Sequence, residues 1–306
     1  QGVADYIYRG LFGGFPSTNS IQPFYERFKR YSDIENRDIW EYRLNLTREE
    51  LDLLVLHVWE LKNGVFDYYF LDENCAYRLI ALLEVARPDL GLSEDFKAYT
   101  IPSDVIRGLK EEAAMEYILY RASAMKTFYH HARYIDKSEA RMVFDIVQQQ
   151  LPLEDPRIQE LSPERKALML ALAAEYLTLL INKDMLNRDR STSLTQKIFS
   201  ERIKQGLPVT FDAPPVPKGS PDEGHKTRRI RFGGGYSEYE DFLSFAYRGA
   251  YHGLLDPLLG FEKGAQVELL NIELRDYEYN RIRLEHLKLM NITSLSPVNI
   301  FFKPAS

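Results

Sequence analysis

From Arg37 to Leu46 the chain alternates, with Ile39, Glu41, Arg43 and Asn45 on one face and Trp40, Tyr42, Leu44 and Leu46 on the other. That is the period-two pattern of a half-buried strand. The period then lengthens. Thr47-Arg48-Glu49-Glu50 reads as a capping box, and Leu51, Leu54, Val55, Val58 and Leu61 make a helical stripe that stops at Asn63-Gly64. Leu53 and Leu56 lie off that stripe, so this helix is expected to be apolar over much of its circumference and buried, with His57 near the edge of its main face. Leu79, Leu82, Leu83 and Ala86 mark a further helix of about three turns, closed by Pro88, whose first turn holds Cys75. Ahead of all this, residues 1–35 read as a glycine-containing turn and a mixed segment rich in Tyr and Phe.

After Pro88 a loop leads into a long helical region, Ser103 to Asp184, with little strand character. Within it, Ser162 and Pro163 supply an N-cap and a first-turn proline for the apolar stretch Ala167 to Ile181. Glu175 interrupts that stretch, which falls short of the roughly 20 residues a bilayer helix needs, so a buried helix is expected. Residues 206–236 change character, with Pro208, Pro214, Pro215 and Pro217 followed by Lys218-Gly219-Ser220-Pro221, and read as a linker. The last third alternates again in Gln266 to Leu269, Ile272 to Leu274, Ile282 to Glu285 and Leu287 to Leu289. Asp276 to Asn280 separate them, as expected for paired antiparallel strands with one wet face. The fold class is therefore α+β, divided at 1–102, 103–205, 206–236 and 237–306.

Composition narrows the partners. With 306 residues, 45% hydrophobic and 27% charged, the chain can bury a full core and is not disordered as a whole. A formal net charge of −6 argues against nucleic acid as the principal partner, because that binding depends on clustered cations that release counterions. One cysteine excludes an internal disulfide and leaves the compartment open.

That cysteine is also the first candidate for chemistry. Cys75 stands where the aromatic run Tyr68-Tyr69-Phe70 gives way to a helix, so its thiol faces unpaired backbone N–H groups and the positive end of a helix dipole, which favour the thiolate. The competing reading is a small core hydrophobe, since free cysteine is among the most buried residue types. His57 is the nearest upstream histidine and the candidate base, against the alternative of a core histidine bonded through one nitrogen. His130-His131 suggests a metal, but adjacent helical residues point about 100° apart and no His-x-x-x-His accompanies them, so neither a metal nor a cofactor is expected.

Three other features stay open. Gly13-Gly14 suits a simple tight turn or a close backbone approach to a ligand. The basic run Lys226, Arg228, Arg229 and Arg231 suits a solvated strand face or an anionic surface. His252 and Asp256, four apart beside Arg248, suit an oriented pair on a helix or an Asp-Pro turn packed by a histidine.

The run Tyr69 to Leu83, with its core Glu73-Asn74-Cys75-Ala76-Tyr77-Arg78-Leu79, resembles the signature of the Lnb N-terminal periplasmic domain family. Gly10-Leu11-Phe12-Gly13-Gly14-Phe15-Pro16, Arg37-Asp38-Ile39-Trp40-Glu41-Tyr42, His57-Val58-Trp59-Glu60-Leu61 and Tyr251-His252-Gly253-Leu254-Leu255-Asp256-Pro257 resemble it in the expected order. The resemblance implies a circularly permuted papain-like protein, related to NlpC-type peptidases and to lecithin:retinol acyltransferase. Here that means a partial core with a large helical insertion and a C-terminal antiparallel β-rich module. It implies a periplasmic protein of the cell envelope or outer membrane. The founding activity is an N-acyltransferase that moves a fatty acyl chain onto the amino terminus of a lipoprotein.

In that arrangement the partner histidine precedes the cysteine, in a Phe-Gly-His element expected upstream of Gly13-Gly14-Phe15-Pro16, where this sequence does not reach. Ile300 to Ser306 resembles the join to a further, β-barrel domain. The chain is thus expected to be a middle piece, and inactive or nearly so by itself.

Two functions follow. In the first, Cys75 forms a thioester with a lipid acyl group, an upstream histidine or His57 moves the proton, and Asn74 or the Cys75 N–H stabilises the oxyanion. The partner is then a lipid or lipoprotein substrate at a membrane surface, although an amidase or peptidase would use the same machinery. In the second, the region is a non-catalytic envelope scaffold in which Cys75 is buried and Asn74 only caps a helix. An accessible thiol favours the first and an enclosed one the second. The oligomeric state is not legible.

Overall fold

The structure, a computed structural model, describes residues 2–70, 72–96, 99–236, 240–277, 281–295 and 299–302. In chain order the elements are α1 (Val3–Phe12), β1 (Phe15–Thr18), α2 (Phe24–Lys29), β2 (Ile39–Leu44), α3 (Arg48–Glu60), β3 (Val65–Tyr68), α4 (Cys75–Ala86) and α5 (Pro102–Glu111). There follow β4 (Met115–Arg121), α6 (Ala124–His131), α7 (Lys137–Val147), α8 (Pro156–Gln159), α9 (Pro163–Asn182) and α10 (Arg188–Gln205). The chain ends in β5 (Arg229–Tyr236), β6 (Asp241–His252), β7 (Ala265–Tyr277) and β8 (Arg281–Ser294). Helices and antiparallel sheets in separate stretches make this an α+β fold.

Local chemistry sets many of the boundaries. At α3 the capping box forms in full, with Thr47 Oγ1 accepting from the Glu50 N–H at 3.2 Å and Glu50 Oε2 accepting from the Thr47 N–H at 2.7 Å. Ser162 caps α9 behind Pro163, and Asp136 and Glu139 make a second capping box at α7. No helix among the described residues is long and apolar enough to cross a membrane.

Two compact units result, each made of three stretches of chain: Gln1–Ile21, Tyr42–Tyr117 and Pro217–Ser296, and Gln22–Glu41, Ile118–Val216 and Pro297–Ser306. In the first unit Ala76, Ile80 and Leu83 of α4 pack with Leu90, Leu92 and with Val105 and Leu109 of α5. Leu54 of α3 joins this core only at its margin. Here the expectation of a buried α3 fails, because no residue of that helix is buried and Leu56 and Trp59 are 68% and 63% exposed. An apolar sequence records what a helix can bury, and only the stripe through Leu54 finds a partner among the described residues.

The same unit carries the sheet β5-β6-β7-β8, antiparallel throughout. Its register places Ile230, Phe232, Leu243, Phe245, Leu274 and Leu284 on one face and Arg231, Ala246, Glu273 and His286 on the other. The second face is held by ion pairs, Arg231 to Glu273 at 3.0 Å and Arg275 to Glu273 at 2.9 Å and Glu285 at 3.1 Å. The first face is largely bare, with Phe232, Leu243 and Ile282 each at least 70% exposed. Ahead of β5 the proline-rich segment runs without helix or strand, yet Ser220, Asp222 and Thr227 are buried. Tyr42 donates to Asp222 at 2.6 Å, Thr227 to Asp104 at 2.7 Å and Arg107 to the Asp222 carbonyl at 2.7 Å, which pin the segment to β2 and α5.

The second unit is built around α9. Met169, Leu170, Leu172, Tyr176 and Leu180 are at most 2% exposed and pack with Phe128, Val143, Ile146 and Ile158. Tyr176 donates to the Phe301 carbonyl at 2.7 Å, and the Phe301 ring meets Phe128 edge-on at 4.8 Å, so the segment expected as a join packs into this core as far as Phe302. Lys303 to Ser306 lie outside the described residues, as do Leu71 of the cysteine motif and Glu278 to Asn280 of the expected turn.

Two further expectations need correction. The region from Ser103 to Asp184 is not all helical, because Met115–Arg121 forms β4 and pairs with β2, the Tyr120 ring meeting Trp40 at a tilt with centroids 4.8 Å apart. Residues 3–12, read as part of a turn and mixed segment, form α1.

Candidate active site

β3 delivers the chain to a short loop, and α4 begins at Cys75 because Asn74 caps it. Asn74 Oδ1 accepts from the N–H groups of Ala76 at 2.9 Å and Tyr77 at 3.3 Å. Its Nδ2 donates to the Thr100 carbonyl at 2.7 Å and the Phe70 carbonyl at 3.3 Å. With both Nδ2 protons and the carbonyl oxygen engaged, Asn74 is a fixed part of the wall. Cys75, at the first helical position, is exposed. Its backbone N–H has no hydrogen-bond partner among the described residues, as expected for a first-turn donor.

An aromatic group gathers around β3, just ahead of the thiol in the chain. Tyr6, Phe15, Tyr68 and Phe70 pack with centroid separations of 5.2 to 6.2 Å, Phe15 stacked on Phe70 and Tyr68 edge-on to it. Burial, then the charges of Cys75 and Tyr6, push the Tyr68 phenol above its ordinary value. The glycines make room for these rings. A Cβ on Gly10 would stand 2.1 Å from the Phe70 ring, and Gly13, at φ +76°, would meet Tyr69 at 2.6 Å. Gly13 bears out the tight-turn reading of Gly13-Gly14, since its positive φ suits glycine. Beyond the thiol, Arg78 pairs with Glu73 at 2.5 Å and lies over the Phe66 ring at 4.8 Å.

His57 stands apart from this arrangement. Its Nδ1 faces Glu60 Oε2 at 3.3 Å on the same helix, and among the described residues no hydrogen bond joins it, or any other histidine, to Cys75. His131 is bonded to Glu175 at 2.9 Å and stacked on Phe211 at 4.3 Å.

A second polar cluster lies at the end of β6. His252 is the last residue of that strand rather than part of a helix, and Asp256 sits in the turn beyond, where Gly253 N–H donates to it at 2.8 Å. Arg248 and Arg229 both bond Asp256, Arg229 doing so from the start of β5 with its side chain still 41% exposed, and Arg228 lies over Tyr99 at 4.4 Å. His225, which no local spacing singles out, completes the group at 2.8 Å from His252. Among the described residues, this is where histidine and carboxylate side chains converge as metal ligands do.

The α+β fold thus presents an exposed thiol at the first turn of an N-capped helix. Residues 1–112 match the Lnb N-terminal periplasmic domain and belong to that family. Residues 118–214 and 218–306 match two families each described as a domain of unknown function, DUF7842 and DUF7840. The first of these falls within the long segment of the second compact unit. No curated protein and no solved structure matches the chain. The protein is thus a periplasmic one, associated with the cell envelope.

Proposed function

We propose that this protein carries out thiol-dependent acyl transfer, from a lipid acyl donor to an amine, through a thioester on Cys75. The observation that carries this reading is the exposure of Cys75 at the first turn of α4; the scaffold alternative needs an enclosed thiol. In the first step the Sγ–H proton passes to a base, the thiolate attacks the ester carbonyl carbon, and the carbon–oxygen bond breaks to release the alcohol with a proton. In the second, the amine nitrogen attacks the thioester carbonyl, the carbon–sulfur bond breaks and the sulfur regains its proton. The Cys75 N–H, unpartnered among the described residues, is the oxyanion donor. Asn74 positions the nucleophile, since its own donors are engaged.

The ring cluster of Tyr6, Phe15, Tyr68 and Phe70, just ahead of Cys75 in the chain, offers an apolar surface for the acyl chain. The bare face of the β5–β8 sheet, with Ile230, Phe232, Leu243 and Ile282 exposed, supports a membrane surface, the outer membrane, as the place of encounter. Because no described histidine bonds Cys75, acylation by this chain is expected to be slow and to speed up when imidazole is added as a base.

The test is intact-mass analysis after incubation with p-nitrophenyl acyl esters of increasing chain length. One hydroxylamine-labile acyl adduct, absent in Cys75→Ser, is expected, with longer chains preferred. A chain whose Cys75 is readily alkylated by iodoacetamide yet takes no acyl group, with or without imidazole, would remove the proposal.

A further inference from the structure

Ala246, Arg248, Ala250 and His252 form a buried row on one face of β6, each at most 7% exposed. A charged and an imidazole side chain in such a row demand partners, and those they find are unusually ordered. Asp256 Oδ2 accepts from Gly253 N–H and from Arg248, while Oδ1 meets Arg229. Arg248 also lies 3.5 Å from Glu268 Oε1, so two guanidinium groups face two carboxylates and the surroundings are formally neutral.

His225 fixes the protons. Its Nδ1 stands 2.8 Å from the Lys226 carbonyl oxygen, a contact only an N–H can make, so in the neutral ring the lone pair belongs to Nε2. That Nε2 points at His252 Nδ1 at 2.8 Å and at Asp256 Oδ2 at 3.6 Å. The Phe261 ring covers both imidazoles, stacked at 4.7 Å on His225 and 4.1 Å on His252, and holds their edges together. His252 Nε2 is buried with no hydrogen-bond partner among the described residues, so none of them fixes which nitrogen carries the proton. With the proton on Nε2, two imidazole lone pairs and a carboxylate converge. A shared proton would satisfy two of those three donors; a divalent ion satisfies all three.

We propose that His225 Nε2, His252 Nδ1 and an oxygen of Asp256 bind a zinc ion, independently of Cys75. The donor atoms all lie within 4.8 Å of one another. Tetrahedral zinc with bonds of about 2.0–2.1 Å sets its ligands about 3.3 Å apart, and the 2.8 and 3.6 Å separations bracket that value. Two nitrogens and one oxygen suit this borderline ion. The outer contacts also fit. The Lys226 carbonyl orients His225 from behind, and Gly253 N–H and Arg248 hold the carboxylate, as second partners do in metal sites. His225 is partly exposed, which leaves a side from which the ion enters and a fourth position open to water.

The experiment is titration of zinc into chelator-treated chain against a chromophoric competitor, repeated with cobalt(II), whose visible spectrum reports tetrahedral coordination. One equivalent is expected to bind with a rise in melting temperature, and His225→Ala, which removes a partly exposed ring, is expected to weaken binding about 100-fold while circular dichroism shows the fold retained. Cys75→Ser and His130→Ala are expected to bind as the parent does. Absence of saturable binding, binding unchanged in His225→Ala, or binding lost in Cys75→Ser would each overturn the site.

Discussion

Asn74 donates from Nδ2 to the carbonyl oxygen of Thr100 at 2.7 Å, so the residue that starts the Cys75 helix is tied to the chain just ahead of α5. Both are buried, at 5% and 0% exposure. Asn74→Asp keeps the cap acceptor but loses both donors and sets a carboxylate against two carbonyl oxygens. A loss of about 1–3 kcal/mol is expected. Asn74→Ala loses the cap as well, about 1 kcal/mol more. Urea unfolding of the two variants checks the order.

An exposed Cys75 should react without unfolding. One equivalent of iodoacetamide is expected to label the native chain at Cys75 in the absence of denaturant, read by mass spectrometry. Labelling seen only as urea unfolds the protein would place the thiol inside.

The core of the first unit and the flank of α3 should respond differently to the same deletion. Leu83 is 2% exposed and packs with Val105 and Leu109, so Leu83→Ala is expected to cost about 2–5 kcal/mol. Leu56, 68% exposed, should tolerate alanine to within about 0.5 kcal/mol. Thermal or urea melts of both variants decide it.

A pH dependence follows from Glu50. The Arg87 guanidinium, at 2.6 and 2.7 Å, and then the Thr47 N–H hold its carboxyl down at about 2. Since the unfolded chain takes up that proton first, the contribution is whole above the unfolded value of about 4.3 and is lost as the pH falls toward about 2. Glu50→Gln should flatten the stability profile across that window, measured by urea unfolding at stepped pH.

Much of the local structure was legible. Caps at Thr47, Asn74 and Ser162 involve residues within three positions of one another, so their chemistry is written in short runs of sequence. Interruptions in the strand pattern also had meaning. Alternation breaks at Leu270 and again near His286, and the structure has Leu270 at φ +49° and a register shift that leaves Glu285 as the extra residue of β8. Two apparent strands on each side are therefore one long, irregular strand.

What was not legible depends on distant partners. Leu53, Val55 and Leu56 look like core on composition, but their burial is decided by whether another element lies over them. β4 was hidden inside a helical stretch because its seven residues gain their role only from β2. His225 meets His252 across 27 positions, after a segment whose prolines give no periodicity. By sequence Asn74 offers an oxyanion donor, and only the positions of Thr100 and Phe70 show that its protons are engaged.

Among the described residues, β5 and β8 each have a single neighbour, so the sheet ends on both sides in a row of unpaired backbone groups. Such an edge accepts any extended chain of suitable register, including a strand from another copy that has not yet folded. The consequence is kinetic. On refolding, the sheet must close its own hairpins before it meets a second molecule. The recovered fraction should therefore fall as protein concentration rises, under conditions where the folded protein itself stays soluble.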